Sequence, residues 1–162
     1  TPKSVFEMGC ANGGLIKDLQ NHYPGLAVGG ADMNLPDLEK SRQTFPEYAH
    51  NFILHNVNDP FPVPDNSFDI VFGVGILMYL INPQSAIEEA IRIARKKVIF
   101  AEFHYPEMDE VGTFLKVAWP PGKWHLGVAR NYEKLFSKVF MGKKATVTHS
   151  GLDKHIITYE KH

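Results

Sequence analysis

The sequence has little cysteine, no excess charge of either sign and no long apolar run. Its one cysteine, Cys10, cannot form an internal disulfide or build a zinc site alone, and it favours a reducing, cytoplasmic setting. Lysine and arginine number 17 against 18 acidic residues, a net charge of -1. This is not the basic field that general nucleic-acid binding requires. No apolar run approaches the roughly 20 residues that cross a bilayer. We therefore expect neither nucleic acid nor membrane as a partner.

The composition that is present is typical of one globular domain. Apolar residues make up 44% and charged residues 22% of the chain, as in ordinary globular proteins. A length of 162 residues suits one hydrophobic core. We expect residues 1–162 to form a single domain.

Short apolar runs alternate with helical patterns through the first two thirds of the chain. Strands are predicted at residues 4–8, 26–31, 51–54, 68–72 and 98–103. Helices are predicted at about 14–23, at 34–44 with Asn34 as the cap, and after Asn82-Pro83, where apolar residues recur at helical spacing up to Ala94. Strand–helix alternation indicates a parallel sheet covered by helices on both faces.

The last third breaks this rhythm. Residues 104–130 form a long connection, within which a short helix is expected at about 107–118. A helix capped by Asn131 follows, and residues 145–149 and 155–159 predict an antiparallel hairpin. Connections longer than about 12 to 15 residues are usually functional or disordered. This one is rich in aromatic residues, so we expect it to bind a substrate.

A turn of small residues separates the first strand from the first helix. Residues 7–14 read E-M-G-C-A-N-G-G, and a ligand over the end of a strand needs such backbone without side chains in its way. The next strand ends in Asp32, whose carboxylate can accept both hydroxyls of an adenosine ribose. A dinucleotide fingerprint requires glycine where Ala11 stands. An NAD-dependent oxidoreductase is therefore a less favoured alternative.

Several motifs occur in the same order as in one known family. The E-x-G-x-A-x-G pattern of residues 7–13, the stretch P-F-P-V-P-D-N-S-F-D at 60–69 and Asn82-Pro83 together resemble class I (Rossmann-like) S-adenosylmethionine-dependent methyltransferases of the small-molecule type. The resemblance implies an α/β three-layer sandwich. Its mostly parallel seven-stranded sheet would have the order 3-2-1-4-5-7-6 and end in a C-terminal antiparallel hairpin.

The resemblance also implies the activity, which is transfer of a methyl group from S-adenosylmethionine to an unidentified acceptor. S-adenosylhomocysteine would be the product, a small molecule is the expected acceptor, and no metal is expected. A catalytically inactive binding or scaffold domain is the alternative. Asn56 stands where relatives carry Asp, and Met78-Tyr79 stands where many carry Glu-His. The helices that relatives carry before the first strand are expected to be absent, which would leave the acceptor pocket open or completed by a partner.

By this resemblance, Gly9, Ala11 and Gly13 approach the methionine portion of the cofactor, and Glu7 orients the turn or reaches its ammonium through water. Asp32 would hold the ribose and Met33 would pack on the adenine. The full set of implied cofactor residues is Glu7, Gly9, Cys10, Ala11, Gly13, Asp32, Met33, Asn56, Val57, Gly73 and Leu77.

The acceptor is expected beside the end of the fifth strand and the connection after it. Tyr105, Trp124 and Arg130 are candidate substrate contacts, although a bond to a nearby loop carboxylate explains Arg130 equally well. His104 and His125 are candidate bases if the acceptor is a hydroxyl or a carbon acid. Either histidine is otherwise a loop residue with no catalytic task.

Overall fold

The computed structural model describes residues 1–103, 105, 107–118, 124–140, 145–150 and 154–161. Nine strands and four α-helices occur within that part of the chain. In chain order they are β1 (Ser4–Met8), α1 (Gly14–His22), β2 (Ala27–Asp32), α2 (Leu35–Thr44), β3 (Phe52–Leu54), β4 (Phe68–Val74), α3 (Gln84–Ile93), β5 (Ala94–Phe103), β6 (Thr113–Ala118), β7 (Trp124–Ala129), α4 (Tyr132–Phe140), β8 (Ala145–Ser150) and β9 (Lys154–Glu160). Short 3-10 helices lie at Pro46–Asn51 and Leu77–Tyr79.

Seven of the strands form one sheet in the order β3-β2-β1-β4-β5-β9-β8. The strands from β3 to β5 pair in parallel, whereas β9 is antiparallel to both β5 and β8. Within this sheet β8 and β9 are the sixth and seventh strands along the chain, so the observed order corresponds to the predicted 3-2-1-4-5-7-6. The predicted strand order and the C-terminal hairpin are therefore confirmed. Strands β6 and β7 form a separate antiparallel pair. Within the described ranges, every helix is too short or too polar to cross a bilayer.

The core has two layers because alternate strand residues face opposite sides of the sheet. On one side, fully buried Ile87 of α3 and Phe136 of α4 pack in the same cluster as Phe6 of β1. On the other, Ile16 of α1 and Leu38 of α2 pack with the neighbouring β1 residue, Val5. Helices on both faces of a mostly parallel sheet make the three-layer sandwich that the sequence predicts.

Two predictions of local structure need correction. Helix α3 ends at Ile93 and β5 begins at Ala94, before the predicted start at residue 98. Arg95 and Lys96 lie in β5 because they bind the buried carboxylate of Asp69, with Arg95 Nη1 and Lys96 Nζ 2.7 and 3.3 Å from its oxygens. The predicted helix at 107–118 is wrong. Residues Thr113–Ala118 form β6 after Gly112, whose φ of +82° is incompatible with a helix, and they pair with β7.

Candidate functional site

A cleft of about 660 Å³ opens where the carboxyl ends of β1, β2 and β4 meet. Ligands of open α/β sheets bind at this edge, and the volume is within the range of small-molecule sites. Its lining consists of Gly9, Ala11, Asp32, Met33, Asn34, Asp37, Asn56, Val57, Asn58, Val74, Gly75, Ile76, Met78, Tyr79 and Leu80.

The glycine turn forms one side of this cleft. The backbone N–H groups of Gly9 and Cys10 both donate to the Ala31 carbonyl, at 2.8 and 3.0 Å, which fixes the turn to the end of β2. Gly9 has a φ of +75°, and a Cβ there would lie 2.7 Å from Ile76 Cδ1. Ala11 also has positive φ, at 43°. A larger residue at position 9 would therefore be strained and would displace Ile76.

Asp32 connects the turn to the start of α2. Its Oδ2 accepts a hydrogen bond from the Ala11 N–H and its Oδ1 accepts one from the Asn34 N–H, both at 2.8 Å. Each carboxylate oxygen has a second lone pair, so two further donors can be accepted from the cleft. The turn and the acid, which are distant in sequence, therefore lie in direct contact at one site.

Glu7 is a buried acid directly below the turn. Its side chain is 5% exposed, and within the described residues its Oε2 has no hydrogen-bond partner. Burial, and to a lesser extent the negative charge of Asp32, raises the pKa of Glu7 from 4.5 to about 8. A cation nearby would stabilise the charged form. The position is thus complementary to a positively charged ligand group.

The polar wall opposite the glycine turn follows β3. Asn56 Oδ1 accepts hydrogen bonds from the Asn58 backbone N–H and side-chain amide, at 3.0 and 2.9 Å. The His55 N–H donates to the Asp32 carbonyl at 3.0 Å, which connects the start of this wall to the end of β2. Val57 lines the cleft beside Asn56 and is buried.

The apolar wall consists of residues 76–81, which follow β4 and which we call the wall segment. Ile76, Met78, Tyr79 and Leu80 of this segment line the cleft, and none of them belongs to the predicted site. The one sequence signal here is that Met78-Tyr79 replaces a family Glu-His pair. Val74, Gly75, Asn34, Asp37 and Asn58 are the other lining residues absent from the prediction.

Of the eleven predicted cofactor residues, Gly9, Ala11, Asp32, Met33, Asn56 and Val57 line the cleft, and the other five do not. Among those five, Cys10 is buried against β2, where a Cβ on Gly30 would lie 2.8 Å from its Sγ. Burial raises the pKa of the Cys10 thiol above its usual range. Gly13 precedes α1 and packs beside Ser41.

Gly73 and Leu77 are also absent from the lining. A Cβ on Gly73 would be 2.7 Å from Ile76 Cγ2, so the Ile76 side chain packs over this glycine. Leu77 is fully buried in the core. Ile76, which is half-buried and packs over both Gly9 and Gly73, lines the cleft where the prediction expects Leu77.

Of the predicted acceptor residues, Tyr105 and Arg130 lie within the described part of the chain with their side chains. Arg130 is fully buried, and its guanidinium donates to backbone carbonyls, including those of Leu77 and Val111 at 3.1 and 3.0 Å. Among the described residues, these carbonyl groups take the place of the loop carboxylate offered for Arg130, and its contact with a substrate stays a prediction. The Tyr105 N–H donates to the Arg130 carbonyl at 3.1 Å. His104 and the side chains of Trp124 and His125 lie outside the described part.

A mostly parallel sheet of this order, with a glycine turn and an acid at adjacent strand ends, defines a Rossmann-like methyltransferase. Residues 6–101 match the family model of the methyltransferase domain, and the chain belongs to that family. No curated protein is significantly similar to the chain in sequence.

Solved structures with low sequence identity share the fold. The PH0226 protein of Pyrococcus horikoshii is 14% identical, with a TM-score of 0.73 over 98% of this chain and 82% of that one. A methyltransferase of Methanosarcina mazei that depends on S-adenosylmethionine is 16% identical, with a TM-score of 0.71 over 98% and 92%. One from Aquifex aeolicus is 17% identical, with a TM-score of 0.68 over 98% and 81%.

Proposed function

We propose that the cleft binds S-adenosylmethionine and that the protein transfers its methyl group to a small-molecule acceptor. The observation that carries this proposal is the contact between the Ala11 N–H and the Asp32 carboxylate at the edge of the cleft, 2.8 Å apart. This contact places the side-chain-free backbone of the turn next to a hydrogen-bond acceptor. The cofactor requires both, the backbone for its methionine portion and the acceptor for its ribose. The reducing, cytoplasmic setting that a single cysteine favours is part of the same proposal.

The residues present fit the cofactor in chemical type. Asp32 would accept the ribose hydroxyls with its free lone pairs, while Val57 would offer its backbone N–H to the adenine. The Asn56 amide oxygen, which already accepts two hydrogen bonds from Asn58, would accept from the adenine in place of the Asn58 side-chain amide. Met33, which is 67% exposed, would pack on the ring. Glu7 would supply the buried acceptor beneath the methionine end, where its Oε2, which has no partner among the described residues, favours a cation.

When bound, S-adenosylmethionine supplies a methyl group activated by its sulfonium. The protein's own contribution is to orient the cofactor, align the acceptor and exclude water. Alignment of this kind can supply roughly 7 to 11 kcal/mol of barrier reduction. Tyr105, which follows β5, and the side chains of Trp124, His104 and His125 remain predictions for the acceptor end.

Calorimetric titration with S-adenosylhomocysteine and with NAD tests the cofactor assignment. We expect the first to bind and the second to bind far more weakly. Asp32→Ala should weaken S-adenosylhomocysteine binding by about 1.5 to 3 kcal/mol, the range for hydrogen bonds to a charged group. Asp18→Ala, which removes an exposed acid of α1, is the matched control and should bind normally. Tighter binding of NAD, or an unchanged Asp32→Ala, would reject the assignment.

An inactive scaffold domain is the alternative within the same fold, because Asn56 and Met78-Tyr79 depart from the family pattern. A binding experiment does not separate it from an enzyme. A screen of acceptors with methyl-labelled cofactor does, since only an enzyme transfers the label. Retention of all label on the cofactor across metabolite and peptide acceptors would favour the scaffold.

A further inference from the structure

The backbone of the wall segment is held by two buried charged side chains from distant parts of the chain. Glu102 lies on β5 and Arg130 follows β7, and both are 0% exposed. Neither side chain lines the cleft. Their contacts with the wall segment nevertheless determine where one side of the cleft stands.

Glu102 binds the beginning of the wall segment. Its Oε1 accepts hydrogen bonds from the backbone N–H groups of Ile76 and Leu77, each at 3.0 Å. Just before them, the Gly75 N–H donates to the carbonyl of Ala101, the neighbour of Glu102, at 2.9 Å. Three successive N–H groups are thereby fixed to the end of β5.

Arg130 binds the rest of the wall segment from the carbonyl side. Nη1 donates to the Leu77 carbonyl at 3.1 Å, and Nη2 donates to the carbonyls of Leu80 and Ile81. Its Nε donates to Val111 at 3.0 Å, next to Gly112. A Cβ on Gly112 would overlap Arg130 Cγ and the Ala129 carbonyl, so the backbone approaches the aliphatic part of the Arg130 side chain as closely as only glycine permits.

The same two charges surround Tyr132, the first residue of α4. Burial raises the pKa of Tyr132 above its usual range; the Glu102 charge raises it further, whereas the Arg130 charge and hydrogen bond lower it. Burying an acid and a base carries a large desolvation cost, so each needs hydrogen-bond partners, and here the backbone of the wall segment supplies them. Glu102 and Arg130 bind the N–H groups and the carbonyl groups of the wall segment, and together they fix its position.

That position matters for the cleft because of Ile76. Its side chain packs over Gly9 of the turn and over Gly73 of β4, with Cδ1 and Cγ2 each 2.7 Å from a Cβ at those positions. The next residues of the segment, Met78 to Leu80, face the cleft. A shift of the wall segment would therefore displace Ile76 relative to these two glycines and change the shape of the cleft.

We propose that Glu102 and Arg130 are positioning residues that hold the wall segment in the geometry required for cofactor binding. This inference rests on the proposed function, in which the cleft is the S-adenosylmethionine site. Neither residue touches the cofactor. Each acts through the backbone of the segment between Ile76 and Ile81.

The test compares cofactor affinity with stability in Glu102→Ala and Arg130→Met, and in the conservative Glu102→Gln and Arg130→Lys. Asp69→Asn is the matched control, because Asp69 is also a buried acid with charged partners but lies at the opposite end of β4. Dissociation constants for S-adenosylhomocysteine are measured by calorimetry where urea unfolding shows every variant to be fully folded. Under that condition a loss of global stability alone does not change affinity.

We expect Glu102→Ala and Arg130→Met to weaken binding of S-adenosylhomocysteine about tenfold. This corresponds to a protein whose wall segment adopts the binding geometry about a tenth of the time. Glu102→Gln retains an acceptor oxygen and Arg130→Lys retains a cation, so both should recover part of the affinity. Asp69→Asn should lose stability and bind normally. Amide hydrogen exchange at Ile76 and Leu77 should be faster in Glu102→Ala even without ligand, because both N–H groups lose their acceptor.

Unchanged affinity in both severe variants, or an equal loss in Asp69→Asn, would overturn the inference while the wild-type protein still binds. Unaltered exchange at Ile76 and Leu77 would also overturn it. If Glu102→Ala fails to fold, Glu102→Gln decides by the same two measurements. Failure of the wild type to bind S-adenosylhomocysteine would instead reject the proposed function, and this inference would fall with it.

Discussion

The pKa of Glu7 leads to a quantitative prediction about stability. In the folded protein burial, followed by the charge of Asp32, raises it from 4.5 to about 8. Between these two values the folded protein keeps a proton that the unfolded chain releases. The stabilisation from this group is therefore complete below pH 4.5 and is lost as pH rises towards 8. Glu7→Gln mimics the protonated side chain at every pH and should remove this loss.

A difference of one bound proton changes the free energy of unfolding by about 1.4 kcal/mol per pH unit. With the two pKa values above, wild type should lose about 2 to 3 kcal/mol relative to Glu7→Gln between pH 5 and pH 7. Urea unfolding of both proteins at several pH values measures this. All other titratable groups are common to both proteins and cancel in the difference.

An exposed acid provides the control for Glu7. Glu47 precedes β3 on the surface, and Glu47→Gln should follow the wild-type curve within error. A constant difference between wild type and Glu7→Gln from pH 5 to pH 7 would refute the reasoning. A difference in the opposite direction would show that Glu7 is charged and partnered in the folded protein.

Two further predictions concern the turn and the opposite end of the sheet. Gly9 and Gly25 both have positive φ, but of the two only a Cβ at Gly9 would meet another side chain, at 2.7 Å from Ile76. Urea unfolding should therefore show a stability loss of about 1 kcal/mol in Gly25→Ala and about 1 to 3 kcal/mol more in Gly9→Ala. Equal losses in the two variants would contradict the close packing at Gly9. Burial alone would raise the pKa of Asp69, but hydrogen bonds from the Lys3 N–H, Arg95 and Lys96 outweigh it and lower that pKa. The stability that Asp69 contributes is thus present above its unfolded pKa and is lost as pH falls through its folded pKa. Asp69→Asn should therefore be less stable than wild type at pH 7, and the difference should shrink in acid. Parallel curves of stability against pH for the two proteins would count against this.

Most of the fold is predictable because its determinants are local. The apolar stripe of α3 and the short buried run of β4 each identify an element without reference to the rest of the chain. Asn34 was predicted to cap α2, and its Oδ1 accepts from the Asp37 N–H at 3.3 Å. The strand order came from the family resemblance, which reads several motifs at once.

The errors occur where distant residues decide the structure. The start of β5 depends on Asp69, 26 residues away from Arg95 in sequence, and no helical periodicity contains that information. Strand β6 forms because β7 is available to pair with it. In both cases tertiary contacts override the local pattern.

The candidate site shows the same division. Gly9, Ala11 and Asp32 follow strand ends, so their meeting is expected for parallel neighbours. The wall segment was missed because its backbone is held from 25 residues away by Glu102 and from 53 away by Arg130. A sequence does not distinguish an arginine that binds a substrate from one that binds its own carbonyls.

The buried acids Glu7 of β1 and Asp69 of β4 differ in how their carboxylates are compensated by neighbouring groups. Asp69, at the amino end of β4, has a backbone N–H and two cations around it, at 2.7 to 3.3 Å. Glu7, near the carboxyl end of β1, has an oxygen with no partner among the described residues. The fold thus supplies full compensation to one buried acid and leaves the other incomplete beside the cleft.

A cationic group of the ligand would give the Glu7 carboxyl its missing partner, and this contact would have a thermodynamic consequence. The ammonium of S-adenosylhomocysteine near Glu7 would lower the pKa of that carboxyl from about 8. Binding at pH 7 should then release a proton, so calorimetric enthalpies should differ between phosphate and Tris buffers, and affinity should rise with pH. Glu7→Gln, which has no proton to release, should bind with the same enthalpy in both buffers. Equal enthalpies in both buffers for the wild type would place the ligand cation away from Glu7. The reason is that an acid whose pKa is about 8 loses its proton near neutral pH when it gains a cationic neighbour.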